Sequence, residues 1–88
     1  MSDRFEEIRC EITENDEAIV AAVNRRIELV TELWLLKAER GLDTVDPDRE
    51  RLLREGLAAT NTGPLSAAGL AGLVTGLLDL TKKELGGA

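Results

Sequence analysis

Between Asp3 and Arg40 the chain contains neither glycine nor proline. Within that run Phe5, Ile8, Ile12, Ile19, Val23, Ile27, Val30 and Trp34 recur at spacings of three, four and seven. That is the period of one face of an α-helix, and Gly41 supplies the C-terminal stop. A helix of about 38 residues is roughly 57 Å long at 1.5 Å per residue. The remainder of an 88-residue chain is too small to cover an apolar stripe of that length. Much of the stripe therefore has to meet a second copy of the chain.

Size points the same way. One small domain over residues 1–88, with a single cysteine, Cys10, and no histidine, has no internal disulfide and lacks the commonest metal ligand and general base. A chain this short and without staples gains its missing core by oligomerising. No stretch approaches the roughly 18–20 apolar residues of a membrane span, and Met1 to Glu7 carry charge without a signal-peptide core. The expectation is a cytoplasmic protein with no membrane association. A net charge of −6, with Phe5 and Trp34 as the only aromatics, argues against a nucleic-acid partner, which favours a basic face and stacking rings.

Two further helices follow. Gly41 to Val45 reads as a loop. Asp46 then caps a second helix, with Pro47 in its first turn and Asp48 at the positive end of its dipole. Leu52, Leu53 and Leu57 give it a narrow apolar face, and it ends near Ala59 or Thr60. Asn61-Thr62-Gly63-Pro64 is turn chemistry. The third helix starts near Ser66, with Leu65 and Leu70 placed for a hydrophobic staple. It runs through Leu70, Leu73, Val74, Leu77, Leu78 and Thr81 towards Gly86-Gly87. Gly69, Gly72 and Gly76 cost helix propensity, which close helix packing would explain. There is no strand pattern and no repeat. The fold class is all-α: a three-helix chain with a long first helix, intertwined as a homodimer.

Arg9, Asp16, Arg26 and Lys37 fall within or at the edge of the apolar arc of the long helix. A cation on such a face must snorkel out, pair with a carboxylate or bind an anionic ligand. Asp16 reads as a structural partner for an arginine, and Arg9 could pair with Asp16 or Glu6. Three cations on one otherwise apolar face suggest a small polyanion as guest. Arg26 and Lys37 lie roughly 16 Å apart along the axis, and Arg9 roughly 25 Å from Arg26. If two long helices pair antiparallel about Ile19 to Val23, Arg9 of one chain arrives between Arg26 and Lys37 of the other. The dimer would then hold two such sites by symmetry.

The ordered pattern Arg9-x-x-Ile12-x-x-x-Asp16, Arg26, Lys37 and Asp46-x-Asp48-Arg49-Glu50 resembles the all-helical chorismate mutase family, and the likeness runs from about Phe5 to Leu85. The resemblance implies an intertwined dimer that converts chorismate to prephenate by a Claisen rearrangement in the shikimate pathway of aromatic amino-acid biosynthesis. It implies no cofactor, no metal and no covalent intermediate. Arg9 of the partner chain and Arg26 would bind the two substrate carboxylates, and Lys37 a carboxylate and the ether oxygen. Glu50, with the backbone near Asp46, would hold the ring hydroxyl. Arg49 would orient Glu50, and Thr81 would lie near a carboxylate.

One position departs from the pattern. Family members carry a glutamine on the last helix that donates to the ether oxygen, and here that register falls on Leu85, which donates nothing. Glu84, Lys82 and Lys83 are possible stand-ins, and a carboxylate would donate only when protonated. If the ungapped register holds, Leu85→Gln should raise kcat. The alternatives are an aminodeoxychorismate mutase or an isochorismate pyruvate lyase on the same scaffold, or a weakly active helical dimer working with another shikimate-pathway enzyme.

Overall fold

A computed structural model describes residues 3–86; Gly87, expected above at the stop of the third helix, lies outside them. The described residues form three α-helices: α1 (Arg4–Glu39), α2 (Pro47–Thr60) and α3 (Ala67–Glu84).

Each boundary has a local cause. The Asp3 side chain accepts the Phe5 N–H at 3.0 Å and starts α1. Its far end closes in a Schellman arrangement: Gly41 N–H donates to Ala38 O and Leu42 N–H to Lys37 O. Gly41 sits at φ 67°, a left-handed conformation that costs glycine nothing and other residues strain. Asp46 caps α2 by accepting the Arg49 N–H at 3.2 Å, with Pro47 in the first turn. Asn61 braces the next turn by donating its amide to Leu65 O at 2.9 Å. Ser66 caps α3 by accepting the Gly69 N–H at 2.9 Å.

The chain is elongated, 62 × 24 × 20 Å, with a radius of gyration of 16.8 Å. A compact chain of this length would have about 12 Å. Helix α3 packs against both α1 and α2. Among the described residues only Val74, Leu78 and Thr81 are buried. They lie at i, i+4 and i+7 of α3, so the core of one chain is a single stripe on its last helix.

The apolar stripe of α1 divides in two. Val23, Ile27, Val30 and Trp34 are half-buried, whereas Phe5, Ile8, Ile12 and Ile19 are exposed. Of the apolar positions on α2 and α3, Leu52 and Leu73 are about half exposed, at 51% and 53%. Helix packing does not explain the glycines of α3 within one chain: a Cβ at Gly72 or Gly76 would meet nothing within 4 Å. At Gly69 the tight neighbours are Leu65 Cδ1 at 2.9 Å and Ser66 Oγ at 3.1 Å. The small residue there accommodates the entry turn of its own helix.

Candidate active site

The three helices and the α1–α2 loop enclose a cavity of about 270 Å³, just below the usual 300–1,000 Å³ of small-molecule pockets. Helix α1 supplies one wall through Arg26, Val30, Leu33, Trp34 and Lys37. The last four lie 4, 7, 8 and 11 residues beyond Arg26 and so share its helix face. The loop contributes Thr44 and Asp46, α2 contributes Arg49, Glu50 and Leu53, and α3 contributes Leu78, Thr81 and Lys82. Four cations face two carboxylates in a chain whose net charge is −6. The pocket thus opposes the sign of the molecule and suits an anionic guest.

The polar side chains are tethered. Arg26 Nη1 donates to Thr81 Oγ1, and that hydroxyl donates onward to Leu77 O at 2.7 Å. Thr81 is 5% exposed, so the buried hydroxyl is satisfied in both directions, as it must be. Lys37 Nζ donates to Thr44 O at 3.1 Å, spanning from α1 to the loop. Lys82 Nζ and Glu50 Oε1 stand 3.1 Å apart, joining α3 to the first turn of α2.

Of the residues singled out by sequence, Arg26, Lys37, Asp46, Arg49, Glu50 and Thr81 come together at this cavity. Arg9 does not. It lies on the far half of α1, pairs with Glu6 at 3.6 Å and covers the Phe5 ring at 4.4 Å. Asp16 is exposed, and within one chain the carboxylate that Arg9 pairs with is Glu6. Leu85 is the half-buried C-cap of α3, Glu84 is exposed, and neither lines the cavity. Arg49 lines the pocket, but the cation that grips Glu50 is Lys82. In the sequence Lys82 stands out only as a stand-in for the missing donor. Its pairing with Glu50 depends on how α2 and α3 rotate against each other, which no local pattern encodes.

A largely apolar cleft with tethered cations is suited to a compact anion and to charge developing on it, with the cost of orienting its groups largely met by the fold. The molecule is thus an all-helical protein with a cation-lined cleft. The pattern of the family chorismate mutase type II matches residues 8–84. A solved structure of chorismate mutase (Form I) from Thermus thermophilus superposes with a TM-score of 0.85 at 28% identity, over 90% of this chain and 99% of that one. Among curated proteins none matches. The chain belongs to the type II chorismate mutase family and is an enzyme of that class, an isomerase.

Proposed function

We propose that the chain works as a cytoplasmic homodimer that rearranges chorismate to prephenate in two active sites shared between the protomers, and that residues 1–88 act as one domain. The observation that carries this reading is the tethered cation set of the cavity, Arg26 on Thr81 and Lys37 on Thr44 O, within a fold of the mutase family. No helix among the described residues is long and apolar enough to cross a membrane.

The rearrangement breaks a C–O bond and forms a C–C bond within one molecule. It needs no nucleophile, proton transfer or cofactor. The protein has two tasks: to hold the substrate in its compact diaxial conformer, and to meet negative charge developing on the ether oxygen. Arg26, held by Thr81, takes one carboxylate in a bidentate grip. Lys37 reaches the second carboxylate and the ether oxygen. Glu50 accepts from the ring hydroxyl with the backbone near Asp46 beside it, and Arg49 adds positive field from the same turn.

Arg9 enters from the partner. Seventeen residues separate it from Arg26, roughly 25 Å along the axis, so one chain cannot bring both to one ligand. The exposed Ile8, Ile12 and Ile19 support an antiparallel pairing of two α1 helices about Ile19 to Val23, which would carry Arg9 to the second chain's cavity. There it would exchange Glu6 and Phe5 for a substrate carboxylate.

The test is the purified chain with chorismate, following prephenate formation against pyruvate release. Prephenate without pyruvate is expected. Pyruvate release would assign a lyase. Absence of turnover would point to a helical dimer that needs a partner enzyme of the shikimate pathway.

A further inference from the structure

We infer that Lys82 is a specificity-determining residue: through its ion pair with Glu50 it makes the site select a ring hydroxyl at C4 and reject an amine there. This rests on the placement of the ring C4 substituent at Glu50 proposed above.

Lys82 follows Thr81 on α3 and lines the same cavity. Its ammonium stands 3.1 Å from Glu50 Oε1, with the two side chains 42% and 30% exposed. The pair therefore sits at the cavity rim, accessible to a guest and partly screened by solvent. Glu50 also lies in the first turn of α2, at the positive end of the helix dipole. Its negative charge is thus already answered before a substrate arrives.

A carboxylate so paired keeps acceptor capacity. It offers about four lone-pair sites on two oxygens, of which Lys82 stands 3.1 Å from Oε1. A neutral hydroxyl asks for one acceptor and brings no charge, so it can bond to Glu50 while the Lys82 pair persists. An amine at the same carbon is different. At neutral pH it is an ammonium, and it enters a pocket where four cations already face two carboxylates. Beside Lys82 it meets like charge at a few ångströms, and Glu50 has no unbalanced charge to offset the repulsion. Discrimination of this kind comes from an element that penalises the wrong substrate, and Lys82 is that element.

Replacing Lys82 with methionine keeps the long apolar stem and removes the charge. Glu50 is then free to pair with an incoming ammonium. The experiment measures kcat/KM for chorismate and for its analogue with an amine in place of the ring hydroxyl. It compares the wild type, Lys82→Met, Lys82→Arg, Glu50→Gln and the double variant Glu50→Gln/Lys82→Met, with circular dichroism on each. The wild type should prefer the hydroxyl substrate. Lys82→Met should move the ratio towards the amine by roughly tenfold, and Lys82→Arg should restore the wild-type preference. In the Glu50→Gln background, removing Lys82 should shift the ratio towards the amine by less than in the wild type, since only the direct repulsion is then relieved and no carboxylate is freed to pair with the ammonium.

Equal losses on both substrates, an unchanged ratio, or a wild type that prefers the amine would overturn the inference while leaving a mutase reaction standing. Turnover of neither substrate by the wild type would overturn the proposed function, and this inference with it.

Discussion

At the residue scale, few side chains of the site are free to wander. Arg26 is held by a buried threonine, Thr81, 55 positions away in sequence. Such a tether is worth about 1.5–3 kcal/mol when one partner is charged. Thr81→Val keeps the branched shape and removes the acceptor, so kcat/KM should fall roughly tenfold or more while helical content stays intact. Thr81→Ser should recover most of the loss. Undiminished activity in the valine variant would show that Arg26 needs no such support. Removing the cations themselves should cost more. Arg26→Ala and Lys37→Ala are each expected to lower kcat/KM by roughly 10²–10³, the usual effect of losing an oriented donor at developing charge. Steady-state kinetics on folded variants checks both, and a near wild-type value for either would remove its assigned role.

At the element scale the caps were legible in sequence and the helix rotations were not. Asp46, Pro47, Ser66 and Gly41 act on backbone within a few residues of themselves, so their effects can be read from the order of the chain. Ser66→Ala should accordingly lower stability to urea by about 1 kcal/mol without changing kcat, because the cap lies away from the cavity. An unchanged unfolding midpoint would mean that the Ser66–Gly69 bond contributes nothing. The Lys82–Glu50 pair and the Arg26–Thr81 bond join different helices, and their existence depends on packing angles that periodicity leaves open. Leu85 illustrates the same limit. Register alone put it opposite the ether oxygen, but it caps α3 away from the cavity wall. Leu85→Gln should therefore change kcat by less than about twofold. A severalfold rise would return the ether-oxygen donor to that position.

At the scale of the whole molecule, the single chain is elongated and leaves much of its apolar surface uncovered. Its radius of gyration is 16.8 Å, only three described residues are buried, and Phe5, Ile8, Ile12 and Ile19 face outward. Sequence periodicity marked this stripe as apolar but could not divide it into the half that is partly buried in the chain and the half left exposed. The periodicity of α2 and α3 likewise does not separate the half-exposed Leu52 and Leu73 from their more buried apolar neighbours. Burying the exposed half of the stripe against the second copy proposed above would contribute about 25 cal/mol per Å² of apolar surface removed from water. The pairing proposed above would bring Arg9 to the cavity that lacks it.

The shared site is tested most directly by complementation. Arg9→Ala and Arg26→Ala chains, each inactive alone, are unfolded together in equal amounts, refolded and assayed with chorismate. Random pairing makes half of the dimers mixed, and each mixed dimer holds one site with both arginines intact and one with neither. Activity should therefore return to about one quarter of the wild-type level. A mixture as inactive as its components would contradict the account, because both arginines would then have to act from the same chain.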